Sequence, residues 1–266
     1  MRRILLALAA CAALPALADD HAAWSEPVAP HVVFGNTYYV GTKGLSAILV
    51  TSPQGHVLID APMNDTIAAQ VEGNIRKLGF KVEDIRVILN SHAHFDHAGG
   101  LAKLAKDTGA PVRVTAASAR AMMLGGRDPD DPQFGEASAY TPVKARGDIV
   151  DGSVVTMGSL KLTAHITPGH TPGGTAWTWR SCEGGTCKDI AYVDSLFAFS
   201  SDNYRYSAHP AFVAAYRKAF ERVAALPCEI LLTPHPEQGE GETCKTYAQA
   251  GAKRLDEKLA AEQKNH

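Results

Sequence analysis

The chain has 266 residues, of which 45% are hydrophobic, and its formal net charge at pH 7 is −2. A chain of this length and composition can bury a sizeable core as a single domain. It contains no long basic run, so neither nucleic acid nor an anionic membrane surface is an expected partner.

Residues 1–18 have the pattern of a secretory signal peptide. Two arginines precede an apolar run over residues 4–14, and an Ala-Leu-Ala sequence ending at Ala18 supplies a cleavage site. The apolar run is too short to remain as a membrane span. The sequence therefore predicts export to the periplasm, no membrane attachment after cleavage, and a single mature domain over residues 19–266. Lipid attachment at Cys11 is the alternative, which we favour less because Cys11 would shorten the apolar run.

The first half of the mature chain is predicted to form several strands, followed by alternating helices and strands. Alternating apolar residues separated by turn signals, such as Gly35-Asn36, predict an antiparallel opening of a sheet. Apolar residues spaced three or four apart then predict a helix over residues 65–78. The elements predicted next are a strand over 85–89, a helix near 100–107, a strand over 112–115 and a helix over 116–124.

A long, turn-rich segment at residues 125–148 interrupts this pattern. Loops of this length in a compact domain are usually functional or disordered, so we interpret the segment as a flap over a site. A plain surface excursion is the alternative interpretation.

The second half repeats the order of the first. It contains predicted strands over 154–157, 160–167, 175–179 and 189–193, a helix over 210–226, a last strand over 230–233 and a terminal helix over 245–263. Two similar halves with alternating strands and helices predict an α/β fold, a four-layer αββα sandwich of two βα lobes with the sheets inside.

Four metal-binding side chains follow the predicted strand at 85–89. They are His92, His94, Asp96 and His97. Residues two apart in an extended segment point the same way, so His92 and His94 can bind one ion from the same side. Asp96 and His97 are adjacent at a predicted bend and can turn towards a second ion. Imidazole and carboxylate ligands together suit zinc, whereas a polar loop with surface histidines would not require this spacing.

Three more predicted strands are followed by residues that can bind a metal ion or a substrate. His170 follows one strand in a Gly- and Pro-rich bend, Asp194 and Ser195 follow another, and His235 lies between two prolines after the last. Ligands at the ends of neighbouring strands can converge at one edge of a sheet. The remaining histidines lack such a frame and are predicted to be ordinary surface or core residues: His31, His56, His165 and His209.

Four cysteines remain in the mature chain, an even number that favours disulfides in an oxidising compartment. Cys182 and Cys187 flank a predicted turn, so we pair them with each other, and we pair Cys228 with Cys244. A thiolate zinc site is the alternative, and it is the weaker one because the four cysteines do not form two tight pairs of the zinc-ribbon type.

The His-x-His-x-Asp-His run at 92–97, followed by His170 and His235, resembles the metallo-β-lactamase superfamily over nearly the whole mature chain. Within it, the sequence is most similar to class B, subclass three, whose second metal site has no cysteine ligand. The matching segments are Phe134-Gly135-Glu136, residues 168–173, Asp194-Ser195-Leu196 and residues 232–236, and the cysteine pairs also resemble bridges of some members. Many relatives have a second serine two positions after the one that matches Ser195, where this chain has Phe197.

The resemblance implies two zinc ions per chain. The implied ligands form a first trio of His92, His94 and His170 and a second trio of Asp96, His97 and His235. The implied reaction is hydrolysis of the β-lactam amide bond, which confers antibiotic resistance, by a hydroxide that bridges the two ions without an acyl-enzyme. Asp96 is implied to help orient the hydroxide, and Ser195 and Phe134 to contact the small-molecule β-lactam. A monomer is the expected state.

Two other functions stay open at this point. Glyoxalase-II-like thioesterases, lactonases and phosphodiesterases have a loop that is similar to residues 92–97. These enzymes add an aspartate that bridges the metals, and Asp194 lies close to that position. We expect β-lactam hydrolysis instead. The sequence predicts export and disulfide bonds, and we see no extra domain of the kind that a glutathione thioester hydrolase uses. A non-catalytic zinc-binding or chaperone-like protein of the periplasm is the other alternative, and its metal site would be closed by four ligands.

Overall fold

The structure, a computed structural model, describes residues 22–264. The predicted signal peptide at residues 1–18 and Cys11 lie outside the described residues. Between residues 22 and 264, none of the helices combines the length and the apolar character that crossing a membrane requires.

The first part of the described chain forms a five-stranded sheet whose strands lie side by side in chain order. They are β1 (His31–Phe34), β2 (Thr37–Tyr39), β3 (Ile48–Ser52), β4 (Gly55–Ile59) and β5 (Ile85–Leu89). The first four are antiparallel; Gly35, in the turn between β1 and β2, has a φ of 53°, which glycine adopts without steric cost. β4 and β5 are parallel because helix α1 (Asp65–Lys77) crosses between them.

The later part of the described chain forms a second sheet of five strands. A separate parallel pair comes first in sequence, β6 (Arg113–Thr115) and β7 (Arg146–Ile149). The second sheet has the order β12-β11-β10-β9-β8. Its strands are β8 (Val154–Met157), β9 (Leu160–Ile166), β10 (Thr175–Glu183), β11 (Thr186–Tyr192) and β12 (Ile230–Leu232).

β7 corrects the sequence interpretation, which places its first three residues in the loop over 125–148. Three of the four residues of β7 are exposed and only Ile149 is buried, so the strand shows no alternation of apolar and polar residues. Its partner β6 supplies the pairing, and the Arg113 guanidinium donates to the Asp148 carboxylate at 3.1 Å.

Besides α1, the helices are α2 (Phe95–Ala98), α3 (Leu101–Thr108), α4 (Ala116–Met123), α5 (Pro210–Ala224), α6 (Pro236–Gly239) and α7 (Cys244–Lys264). The longer helices cover the outer face of each sheet. α1, α3 and α4 share one apolar cluster with the first sheet, and α5 and α7 share another with the second. A third cluster, which includes Trp177 and Trp179, fills the space between the sheets. The predicted α/β sandwich with four αββα layers is confirmed.

Local sequence signals account for the ends of these helices. The Asn64 side chain accepts hydrogen bonds from the first free N–H groups of α1, and Gly79 follows the helix with a φ of 87°. α5 begins with Pro210, whose missing N–H is not needed in a first turn. Both helices lie close to their predicted ranges, whereas α2 is a single turn inside the predicted metal loop.

Both predicted disulfides are present. Cys182 and Cys187 face each other across the hairpin of β10 and β11. Cys228 lies before β12 and bonds to Cys244, the first residue of α7, over a sequence separation of 16. The second bridge therefore ties the terminal helix to the edge of the second sheet.

The two bridges should differ in their effect on stability. Replacing Cys228 and Cys244 by serine opens a loop of 16 residues and should lower the free energy of unfolding by about 3 kcal/mol. The same change at Cys182 and Cys187 opens a loop of 5 residues and should cost about 2 kcal/mol. Urea unfolding of the two double variants measures both values, and a larger loss for the hairpin bridge would contradict this ranking.

Candidate metal centre

The predicted metal loop is held in place by a buried carboxylate from the neighbouring strand. Asp60, directly after β4, is fully buried and has a φ of 66°. Its Oδ1 accepts hydrogen bonds from the Ser91 backbone N–H at 2.7 Å and from Asn90 Nδ2 at 2.8 Å. Its Oδ2 accepts from the Ser91 hydroxyl at 2.7 Å and from the Tyr192 hydroxyl at 2.5 Å. This network fixes the backbone that leads into His92.

The three imidazoles of the first trio lie close together in the structure. One ligand atom from each of its three imidazoles lies within 4.8 Å of the others, and the ring centroids are 4.7–4.9 Å apart. The outer nitrogen of each ring has a partner. His92 Nδ1 is 2.7 Å from Asp194 Oδ1, and His170 Nδ1 is 2.8 Å from the Phe197 carbonyl oxygen. His94 Nε2 is 3.1 Å from both carboxylate oxygens of Asp131.

The second trio is more compact. Asp96 Oδ2 lies 3.2 Å from His97 Nε2 and 3.2 Å from His235 Nε2, and these two nitrogens are 3.1 Å apart. His92 connects the two trios, because its ring centroid is 4.5 Å from that of His97. A ligand atom of His92 also lies within 4.8 Å of those of Asp96 and His97. The two candidate ion positions are therefore adjacent.

The electrostatics keep most of these groups in the form that binds a cation. Burial, reinforced by the neighbouring imidazoles, lowers the pKa of His92 well below its usual value and that of His170 to about 3. Burial works against ionisation of Asp96, but His97 and His235 hold the pKa of its carboxyl well below the usual range. Burial likewise lowers the pKa of His97, and the Asp96 carboxylate outweighs it, so that this pKa is raised.

The donor set fits zinc. His92 Nε2 is buried and has no hydrogen-bond partner among the described residues, although a buried polar atom is costly without one. The first trio brings together three nitrogen atoms, and the second brings together two nitrogen atoms and one oxygen atom, so lone pairs repel one another within each trio. A divalent cation that accepts imidazole and carboxylate ligands would satisfy either trio, and three protein ligands leave a position for water or substrate.

A cavity of about 380 Å³ opens onto both trios. Its lining includes His94, Asp96, His170, Ser195 and His235, together with Trp24, Gln133, Glu136, Phe199 and Glu237. Ser195 therefore borders the cavity beside both trios. Phe134 does not line this cavity and is 45% exposed, while Gln133 and Glu136 on either side of it do. A larger groove of about 710 Å³ near β1 and β12 is lined by none of the six ligands.

The segment at 125–148 packs against the first trio. Besides the Asp131 contact, Gln133 Nε2 lies 3.4 Å from His170 Nε2. The Tyr140 hydroxyl donates to the carbonyl oxygen of Ala93, between the first two ligands, at 2.7 Å. The histidines that lack a local frame lie outside both trios, as expected: His31, His56, His165 and His209.

Asp194, the candidate bridging aspartate, contacts His92 in this structure. It is fully buried, and its Oδ1 contacts the ring nitrogen of His92 opposite the unpartnered Nε2. Burial also raises the pKa of the Asp194 carboxyl well above its usual value. Ionised, a carboxyl group in this position would orient a metal-binding histidine.

Sequence reasoning missed three groups around the trios: Asp60, Asp131 and the Phe197 carbonyl. Asp60 had the same signal as the predicted residues, a carboxylate directly after a buried strand. Asp131 belongs to a run of acidic and proline residues, which is typical of a turn and does not indicate a metal site. The Phe197 carbonyl is a backbone group, and nothing in the side-chain pattern indicates it.

Comparisons with known proteins show the family of this chain. The model of the metallo-beta-lactamase superfamily matches residues 40–184, and the chain belongs to this superfamily. The predicted likeness to subclass three is also confirmed, since solved structures of subclass B3 enzymes resemble the chain over about nine tenths of its length.

Three of these structures illustrate the likeness. MEM-A1, a subclass B3 metallo-beta-lactamase from a soil metagenome library, is 43% identical with a TM-score of 0.87, covering 91% of this chain and 100% of that chain. MIM-1 from Novosphingobium pentaromativorans is 43% identical with a TM-score of 0.88, covering 91% and 93%. Rm3 metallo-beta-lactamase is 42% identical with a TM-score of 0.86, covering 91% and 97%.

Two curated relatives carry a different name. A hydroxyacylglutathione hydrolase of Anaeromyxobacter dehalogenans (strain 2CP-C) is 33% identical over 129 residues, 48% of this chain and 40% of the relative. One of Maricaulis maris (strain MCS10) is 29% identical over 175 residues, 64% of this chain and 53% of the relative. The chain spans about half the length of these relatives, so the likeness does not cover them as whole proteins.

Proposed function

We propose that this chain is a β-lactamase that uses two zinc ions to hydrolyse the amide bond of β-lactams. The observation that carries the proposal is the meeting of the two trios beside one cavity, with the ligand atoms of the second trio 3.1–3.2 Å apart. The likeness to subclass B3 enzymes supports β-lactams as the substrate class, because it covers 91% of the chain at 42–43% identity.

The first trio would hold one ion and the second trio the other. Bound zinc supplies a Lewis acid and lowers the pKa of bound water to about 7, which makes a nucleophile available near neutral pH. The low pKa of Asp96 keeps its carboxylate charged, so it can accept a hydrogen bond from a nucleophilic water and orient it. Because water adds directly to the lactam carbonyl, the reaction needs no acyl-enzyme.

The cavity walls supply substrate binding. Ser195 is 98% buried at the cavity and its hydroxyl can donate to the substrate carboxylate. Trp24 and Phe199 line the same cavity with aromatic rings that can pack against apolar substituents of a β-lactam. Phe134, although outside the lining, lies on the segment that borders the cavity, and we keep it as a candidate contact for larger substrates.

Thioester hydrolysis is the second candidate, because the two curated relatives are hydroxyacylglutathione hydrolases. The bridging aspartate expected of that class would be Asp194. Its carboxylate oxygen lies 2.7 Å from His92 Nδ1, on the side of the ring that does not face the trios, which counts against that role.

An assay of the zinc-loaded protein with two substrates separates the candidates. We expect kcat/KM for a chromogenic cephalosporin to exceed that for S-lactoylglutathione by at least about 100-fold, since a site discriminates by its binding of each transition state. Asp96→Ala is the control that shows any turnover to come from this site. Turnover of the thioester alone would overturn the proposal, and turnover of neither substrate would favour a non-catalytic zinc protein.

We also infer that the protein acts in the periplasm. Two disulfides form and persist in an oxidising compartment, which supports export. We propose cleavage after residue 18, a single domain over residues 19–266 and a monomer. The mass of the protein isolated from a periplasmic fraction tests the cleavage site, and its sedimentation coefficient tests the monomer.

A further inference from the structure

We propose that Asp131 is a positioning residue that holds His94 for the first metal ion and so couples the segment at 125–148 to metal affinity. The inference rests on the proposed metal centre but not on the identity of the substrate. Asp131 is 5% exposed, and both of its carboxylate oxygens lie 3.1 Å from His94 Nε2. That contact leaves His94 Nδ1 as the nitrogen available to an ion.

The chemistry of a metal-binding imidazole explains what Asp131 would do. When Nδ1 binds an ion, Nε2 carries the proton and needs an acceptor. A carboxylate in that place fixes the tautomer and the ring orientation and makes the imidazole a better ligand. The other two rings of the first trio have the same kind of support, from Asp194 and from the Phe197 carbonyl. Asp131 differs because it belongs to the long segment and not to the end of a strand.

Hydrogen bonds and an ion pair hold the segment in place on both sides of Asp131. The Asp131 N–H donates to the Asp128 carbonyl oxygen at 3.0 Å, and the buried Asp128 carboxylate accepts from the Arg120 guanidinium of α4 at 2.8 Å. On the other side, the Pro132 carbonyl oxygen accepts from the Ser201 N–H of the second lobe at 2.8 Å. Asp131 Oδ1 also accepts the Gln133 N–H at 2.8 Å. The carboxylate is therefore presented to His94 in a fixed direction.

The adjacent residue provides a matched control. Asp130 is in the same turn and also pairs with Arg120, but its side chain is 66% exposed and does not contact a ligand. Replacing Asp130 by asparagine makes the same chemical change one position away. An effect of Asp131→Asn that Asp130→Asn lacks therefore comes from the contacts of the Asp131 carboxylate, with His94 and with the Gln133 N–H, and not from the loss of a charge in the turn.

The test is the affinity for zinc alone, measured by competition with a chromophoric chelator and without any β-lactam. We expect Asp131→Ala to weaken one of the two bound equivalents by about 10- to 100-fold. Asp131→Asn should weaken it less, because its amide oxygen can still accept from His94, and Asp130→Asn should bind zinc as the unaltered protein does. Asp131→Asn keeps the test valid if the alanine variant does not fold.

Two results would overturn the role of Asp131. One is unaltered zinc affinity in both Asp131 variants, and the other is an equal loss in Asp130→Asn, which would point to the turn. Failure of the proposed function has a different signature. If the unaltered protein binds two zinc ions and the Asp131 variants lose affinity, but no β-lactam is hydrolysed, the role of Asp131 stands and the assignment of the substrate does not.

Discussion

Replacing Asp96 by alanine should reduce the turnover of a chromogenic cephalosporin by at least about 100-fold, more than the loss of a residue that only supports a ligand. Asp96 Oδ2 is the atom that faces both His97 Nε2 and His235 Nε2, at 3.2 Å from each. Without the carboxylate, the second trio becomes two imidazoles whose nitrogens are 3.1 Å apart, and it should lose its ion. Steady-state kinetics with zinc in excess, together with the zinc content, measure both effects.

Ser195→Ala is the comparison for this experiment. Ser195 lines the cavity but belongs to neither trio. Losing one hydrogen bond to a charged substrate group should cost about 1.5–3 kcal/mol, which raises KM by roughly 10- to 100-fold and leaves the zinc content unchanged. Near-normal turnover in Asp96→Ala, or a loss of zinc in Ser195→Ala, would contradict the assignment of these roles.

The second large effect should come from a glycine beside a ligand. Gly169 precedes His170, and a Cβ placed on it would lie only 1.9 Å from a ring carbon of Tyr216. Tyr216 is fully buried in α5 and its ring cannot withdraw into solvent. Gly169→Ala should therefore lower the free energy of unfolding by about 3 kcal/mol or displace the bend, with loss of the ion held by His170.

A second glycine gives the control for that substitution. Gly73 lies inside α1, and a Cβ on it would meet nothing within 4 Å. Gly73→Ala should raise the free energy of unfolding by up to about 1 kcal/mol, because alanine favours a helix over glycine. Thermal unfolding and zinc content of the two variants, measured side by side, provide the test. A stable, fully metallated Gly169→Ala variant would show that the contact with Tyr216 does not restrict the bend.

The sequence was most informative where the chemistry is local. The candidate ligands between residues 92 and 97 follow one strand, so their spacing was enough to suggest two groups that could each bind an ion. His170 and His235 could be found because each stands in a rigid frame of glycine and proline directly after a strand. Their convergence depends on the sheets, and the alternation of strands and helices was regular enough to predict the sandwich.

The groups that were missed act across long sequence separations. Asp60 reaches the metal loop because β4 and β5 are parallel neighbours with α1 between them. Asp131 reaches His94 only because hydrogen bonds and an ion pair hold the segment around it against both lobes. For Asp194 the spacing placed the residue at the site but could not give the contact of its Oδ1 with His92 Nδ1, which favours the support of His92.

The most direct test of the account is a crystal structure of the zinc-loaded protein with anomalous data collected at the zinc edge. We expect two peaks, one bound by His92, His94 and His170 and the other by Asp96, His97 and His235, with Asp194 bound to neither. A single peak, a missing ligand from either trio, or an Asp194 carboxylate coordinating both ions would contradict the two-ion centre described here.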